Sequence, residues 1–264
     1  MEKYHNEVLD KLSKHNYELL DLSNKNISEK FDVNELFNAW NLDKNIMKVI
    51  KYLFIYDNKI EGKLDVSMFT SLKSLDVANN CITEILVPPS LEELVVSDNK
   101  ITKLPETVNL KRIECNKNNI TSVPNYTNLE ILIASKNKIR TINSYLNMKR
   151  LIIDCNPLNE IASMPEITFM DISDTNIDTI NIFPKLEHLI ANNTKLTEIP
   201  RMEYMRKLEI LKTPIKRVQY FPNFDIIICS YKLTKKISNK YQTDANAKIE
   251  LRNNDTEIMI SRNK

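Results

Sequence analysis

From Leu72 onward, apolar and polar positions recur with a period of 19 residues. One copy of the apolar frame is Leu91, Leu94, Val96, Ile101 and Leu104, and the next is Leu110, Ile113, Cys115, Ile120 and Val123. It returns at Leu129, Leu132, Ala134, Ile139 and Ile142, and later at Leu186, Leu189, Ala191, Leu196 and Ile199. The part that alternates with period two predicts a short strand with one side inward and the other outward. A polar residue marks the end of each strand: Asn58, Asn80, Asn99, Asn118, Asn137 and Asn156, then Thr175, Thr194 and Thr213. Successive marks are 19 residues apart, except that Asn58 precedes Asn80 by 22. An asparagine amide donates and accepts, so stacked copies can satisfy turn backbone groups that burial would otherwise leave unpaired. Threonine lacks the second group, and the ladder is expected to weaken in the last three copies. Buried aliphatics stabilise by roughly 1.5–3 kcal/mol each. One copy has too few to offset its ordering entropy, so neighbours must stack.

The same pattern divides the chain in three. Residues 1–49 read as an N-terminal helical cap. Within it, 4–17 places Val8, Leu9 and Leu12 on one helical face. A degenerate first repeat covers 17–30, with Leu20, Leu22 and Ile27 in the frame and Lys25 at the asparagine position. An inserted helix is expected over 31–49, where Asp32 and Glu35 are spaced as a capping box and Val33, Leu36, Phe37 and Trp40 recur at helical spacing. Residues 50–218 hold nine repeats. The register is expected to break after Val218, leaving 219–264 as a C-terminal cap or hairpin extension. There Phe224, Ile226 and Ile228 read as a strand, and 249–260 alternates around Asn253, Asn254 and Asp255 as a hairpin does.

The frame followed by its asparagine resembles the leucine-rich repeat, whose signature is L-x-x-L-x-L-x-x-N/C-x-L. Nine consecutive copies in register make the resemblance specific. The short period and the endings Leu104-Pro105, Val123-Pro124 and Ile199-Pro200 are most similar to the short bacterial-type class. This resemblance implies an α/β fold: a curved leucine-rich repeat solenoid with short parallel strands on the concave face, a mostly extended convex side, and a helical N-terminal cap. It also implies that the concave face is the binding face. Asn, Lys and Ile are abundant, and Gly62 is the single glycine. Left-handed backbone positions are therefore expected to fall largely to Asn and Asp. With this composition the chain is similar to leucine-rich repeat proteins encoded by large AT-rich DNA viruses.

The chain has 264 residues, 42% hydrophobic and 27% charged, which is the balance of a folded protein rather than a disordered one. Its net charge of +2 provides no global field to recruit nucleic acid or an acidic membrane. No apolar run approaches the roughly 20 residues of a membrane span. Residues 1–12 carry charges throughout and lack the apolar core of a signal peptide. Cys81, Cys115, Cys155 and Cys229 are scattered singly, against a disulfide framework and against a zinc site. These features predict a cytoplasmic or otherwise intracellular monomer, in the host cell if the gene is viral, with no membrane, nucleic-acid, cofactor or metal requirement.

Function must then come from the residues interleaved with the frame. The central interleaved column reads Phe54, Asp76, Val95, Glu114, Ile133, Ile152, Asp171, Ile190 and Glu209. The column before it reads Tyr52, Ser74, Glu93, Arg112, Ile131, Arg150, Phe169, His188 and Lys207. Tyr52, Phe54 and Tyr56 put three aromatics on one strand; they either face a partner or pack under the inserted helix. Ile131, Ile133 and Ile152, with Val95, Phe169 and Ile190, make an apolar patch bordered by Arg112, Arg150 and Lys136. Exposed aliphatic and aromatic anchors with an arginine rim are the chemistry of protein docking. Catalytic signals are poor. His188 stands alone in the repeat register, Cys115 occupies an inward position, and Cys155 at the strand's end is the one thiol placed for partial exposure. The expected function is a non-catalytic protein–protein interaction scaffold or adaptor, not an enzyme. The alternative is a regulatory subunit that holds an enzyme such as a phosphatase or ubiquitin ligase.

Overall fold

A computed structural model describes residues 4–27, 31–216, 219–230, 247–252 and 257–262. The chain divides into two compact units, Met1–Leu129 and Glu130–Lys264. The first opens with α1 (His5–Lys14), which buries Val8 and Leu12 and leaves Leu9 half-buried. Its strands are β1 (Leu19–Asp21), β2 (Tyr52–Phe54), β3 (Glu61–Asp65), β4 (Ser74–Asp76), β5 (Cys81–Leu86), β6 (Glu93–Val95) and β7 (Arg112–Glu114). The strands β1, β2, β4, β6 and β7 pair in parallel in that order. In the return arms β3 pairs with β5, also in parallel, and the register shifts between Gly62 and Lys63. Gly62 has φ +74 and open space where a Cβ would stand, so the glycine answers a conformational need rather than a steric one.

The insertion between β1 and β2 is not one helix. Helix α2 (Val33–Ala39) begins at Asp32, whose carboxylate accepts from Asn34 N at 2.6 Å, and buries Val33, Leu36 and Phe37. It stops at Trp40 because Asn41 turns left-handed, with φ 51. A 3-10 turn over Lys44–Lys48 then starts from Asp43, which accepts from Asn45 N. Trp40 is buried with its ring 5.2 Å from that of His5, and the Phe37 ring meets Phe69 edge-on at 6.3 Å.

The second unit contains β8 (Ile131–Ile133), β9 (Thr141–Ile142), β10 (Arg150–Ile152), β11 (Glu160–Ile161), β12 (Phe169–Asp171), β13 (His188–Ile190), β14 (Lys207–Ile210), β15 (Ile226–Ser230), β16 (Ala247–Arg252) and β17 (Glu257–Arg262). The strands β8, β10, β12, β13, β14 and β15 pair in parallel, and β9 with β11 forms a small parallel pair in the return arms. Lys207 pairs with Ile226 and Glu209 with Ile228, so the 19-residue register continues through β15 instead of breaking after Val218. Val218 itself lies outside the described residues. The strand β15 then pairs antiparallel with β17, and β17 with β16. Asn253, Asn254 and Asp255, expected at the hairpin turn, lie outside the described residues.

Each repeat folds as its pattern dictates. Leu91, Leu94, Val96 and Ile101 have no exposed surface, and the same holds for their counterparts Leu186, Leu189 (1%), Ala191 and Leu196 to within that 1%. The residue before each ladder position is left-handed: Asp57, Asn79, Asp98, Lys117, Lys136, Cys155, Asp174, Asn193 and Lys212 have φ of 51 to 57. Asn and Asp account for five of these; three lysines and a cysteine take the rest, at a conformational cost they do not relieve. The bend lets this residue's N–H reach the following repeat, as Asn79 N reaches Ser97 O at 3.0 Å and Lys136 N reaches Asp154 O at 3.0 Å.

The ladder runs through the same bend. Asn118 Nδ2 donates to Val96 O, Cys115 O and Asn116 O at 2.9, 3.2 and 3.1 Å, and Oδ1 accepts from Ile101 N at 2.9 Å. Asn58 does the same for the first repeat, bonding Leu22 O and accepting from Lys25 N and Ile27 N. Thr175 and Thr194 instead donate only within their own repeats, to Ile172 O at 2.7 Å and Ala191 O at 3.0 Å. Outside the strands, opposite charges 19 residues apart form ion pairs along one column. Glu92 takes both Lys73 and Lys111, Glu130 takes Lys149, and Asp225 takes Arg206.

Candidate functional site

The strands of the second unit present two aligned columns on their outward side. In the first, Ile131, Arg150, Phe169, His188, Lys207 and Ile226 are cross-strand neighbours; in the second, Ile133, Ile152, Asp171, Ile190, Glu209 and Ile228. All are half-buried except Lys207, which is exposed, whereas the inward residues between them are buried. The alternation of the strand thus forces apolar side chains into water on one face because the other face is already the core. Arg150 sits over Phe169, its guanidinium carbon 3.9 Å from the ring centre, and the His188 ring meets the edge of Phe169 at 5.9 Å. A groove of about 250 Å³ opens across β12 to β15, walled by Phe169, Ile190, Ile226 and Ile228, with His188, Lys207 and Glu209 at its polar edges.

Of the residues singled out in the sequence, Ile131, Ile133, Arg150, Ile152, Phe169 and Ile190 come together on this face. Tyr52, Phe54, Tyr56 and Arg112 belong to the first unit. There Tyr52 is 42% exposed, Phe54 and Tyr56 are half-buried, and Arg112 is ion-paired with Glu114 on its own strand. Sequence reasoning did not place Ile226 and Ile228 in the surface columns. Continuing the 19-residue count one step beyond Lys207 and Glu209 reaches them directly.

Electrostatics on the face follow burial. Asp171 is pushed up by burial, against the pull of hydrogen bonds from Ser173 N and Oγ. His188 is pushed down by burial and by nearby Lys207, which favours its neutral form. Burial also raises the Cys155 thiol, with a hydrogen bond involving Asp154 and the charge of Asp174 adding to it, to about 11. That group is a poor thiolate at neutral pH. Cys115 is fully buried and pushed up to about 12. Among the described residues no cluster of His, Cys, Asp and Glu is arranged to hold a metal ion, and no helix is long and apolar enough to cross a membrane.

Stacked parallel strands of this kind recur in solved structures. YopM, a leucine-rich effector protein from Yersinia pestis, matches with a TM-score of 0.61 at 19% identity, over 84% of this chain and 65% of that one. The leucine-rich repeat domain of APL1B also gives 0.61, at 17% identity, over 88% and 70%. This chain has the leucine-rich repeat fold. The LRIM1/APL1C complex contains a further match, with a TM-score of 0.58 at 18% identity over 78% of this chain and 46% of that one. YopM from Yersinia enterocolitica WA-314 gives 0.54 at 21% identity over 78% of this chain. This leucine-rich repeat chain spans 54% and 46% of the lengths of those last two, about half of each. No family model matches the sequence, and no curated protein matches it. Identities this low establish the fold alone, so the function of these leucine-rich repeats must be argued from their surface.

Proposed function

We propose that the chain is a non-catalytic interaction scaffold or adaptor that binds a partner protein on the outward strand face of its second unit. One observation carries this reading: Ile131, Ile133, Ile152, Phe169 and Ile190 gather on that face, half-buried, beside an arginine held in place by an aromatic ring. Contiguous apolar surface next to a positioned arginine is the composition of binding hot spots. The likeness to an effector protein and to the LRIM1/APL1C complex supports a binding role over catalysis. Tyr52, Phe54 and Tyr56, with Arg112, offer a second contact area on the first unit. The module acts as a monomer inside the cell, without cofactor, metal or nucleic acid. Its compositional similarity to repeat proteins of large AT-rich DNA viruses makes host-cell proteins the partners to test first.

Replacing Ile133 and Ile152 with Asp is expected to abolish capture of the partner from cell extract and to leave the melting temperature nearly unchanged. A large drop in melting temperature would show that the two side chains are core, and would end this reading.

A further inference from the structure

The two surface columns of the second unit sort charge by sign. The first carries Arg150 and Lys207, and the second carries Asp171 and Glu209. His188 stands with the cations, but burial and Lys207 favour its neutral form. Both carboxylates keep their charge, because Asp171 accepts from Ser173 N and Glu209 from Asn192 Nδ2, which are neutral donors. The groove sets one pair of opposite charges between apolar strands. Lys207 and Glu209 both line it from β14, with Ile190 beside them on β13 and with Ile226 and Ile228 on β15. Two residues apart on one strand, they point the same way at a separation of about 6.6–6.8 Å. They form no ion pair with each other or with another charge among the described residues. Glu187, Arg206 and Asp225, outside the first column, carry both signs and do not line the groove.

We infer that the groove takes an amphipathic helix of the partner, laid across the strands, with apolar residues at i and i+7 and one acidic and one basic residue at i+3 and i+4. This rests on the docking role proposed above and specifies its chemistry. Spacing selects the helix. From β13 to β15 is two strand spacings, about 9.6 Å. Helical residues i and i+7 lie about 10.5 Å apart along the axis and share one face. In an extended chain the residues that point the same way are about 6.7 or 13.4 Å apart, and neither step matches. Residues i+3 and i+4 fall halfway along the helix, roughly 50° to either side of the line from i to i+7. One then stands over Lys207 and the other over Glu209, so that an acid meets the cation and a base meets the carboxylate. The apolar ends meet Ile190 with Phe169 on one side of β14 and Ile226 with Ile228 on the other. Two like charges at i+3 and i+4 would meet one repulsive neighbour whichever way the helix runs.

A displayed library of alanine-based helical peptides, randomised at i, i+3, i+4 and i+7 and selected on the full chain, tests this. The expected winners carry aliphatic or aromatic residues at i and i+7 and opposite charges at i+3 and i+4. Lys207→Glu should bind them at least about tenfold more weakly, because like charge then faces like. A fresh selection on that variant should return two basic residues at i+3 and i+4. Ile190→Asp should not retain the original winners. A circular dichroism melt of each variant checks that the fold persists. A variant that fails it is replaced by Ile228→Asp or by Lys207→Gln, on which selection should no longer require the acid. Winners lost with Ile190→Asp but without charge preference would overturn the charged motif and leave docking on this face standing. No winner, or only winners indifferent to Ile190→Asp, would overturn the helix, while partner capture with Ile133 and Ile152 replaced still decides the docking role.

Discussion

The asparagine repeats and the threonine repeats share a frame but distribute strain differently. At Asn80 and Asn99 the ladder side chain ties two repeats together, and the bend before it is taken by Asn79 and Asp98, both tolerant of a left-handed backbone. At Asn118, Asn137 and Asn156 the ladder is still asparagine, yet Lys117, Lys136 and Cys155 occupy the bend. At Thr175 and Thr194 the situation is inverted: the hydroxyl bonds only within its repeat, while Asp174 and Asn193 make good bends. Lys212 with Thr213 combines the poorer choice at both places, and the Thr213 bond is long at 3.4 Å. Ladder and bend are thus partly interchangeable sources of stability, and the chain is worst provided for near its last parallel strands.

The largest test breaks the ladder where it does most. Asn118→Ala removes the acceptor of Ile101 N and the donor to Val96 O, Cys115 O and Asn116 O, of which Asn116 O still accepts from Asp98 N. At about 1–3 kcal/mol per unsatisfied group, tempered by relaxation, the expected loss is about 3–5 kcal/mol in urea unfolding. Thr194→Ala removes a single bond and should cost only about 1 kcal/mol in the same assay. If the two losses are equal, the ladder is not what separates the regions. Asn118→Thr imports the later arrangement into the earlier one and should fall between them. On the bend, Lys136→Gly relieves left-handed strain and is expected to stabilise by up to about 1 kcal/mol, whereas Asn193→Gly should change little. A gain of equal size at both positions would show that asparagine brings no advantage there.

The smallest effect concerns the ion column, which Thr168 interrupts ahead of the threonine repeats. Hydrogen bonds from Lys111 and Lys73 lower Glu92 from 4.5 to about 2. A carboxyl depressed on folding stabilises above its unfolded pKa, and that contribution disappears as pH falls through the folded value. Wild type should therefore slightly exceed Glu92→Gln in stability at neutral pH, and the two should converge toward pH 2. The difference is expected to shrink in salt, because exposed pairs are strongly screened.

The repeat frame was legible because each inward position is apolar and each neighbour on either side is free to be polar. The same logic explains what was missed. Ile226, Ile227 and Ile228 are apolar on both faces of β15, so alternation cannot distinguish inward from outward, and only the count of 19 places Ile227 inside. The inserted segment misled in another way: Val33, Leu36, Phe37 and Trp40 follow a helical period, but the period does not report where the helix stops. Asn41 and Asp43, one able to turn left-handed and the other able to cap, carry that information. On the candidate face, the apolar side chains could be read from the columns. The absence of an ion pair at Lys207 and Glu209 could not, because pairing depends on which neighbours across 17 to 19 residues reach each other.

The alternating ion column also acts as a parity check on the number of repeats. Repeat arrays can gain or lose whole copies, because each copy contacts only its neighbours. Removing residues 92–110 would bring Lys73 beside Lys111, like against like, whereas removing 92–129 would bring Lys73 beside Glu130. Changes by two copies keep the code intact; changes by one violate it. The single-copy deletion should accordingly gain more stability from added salt than the two-copy deletion does, and Lys111→Glu would not repair it, because the new carboxylate would face Glu130.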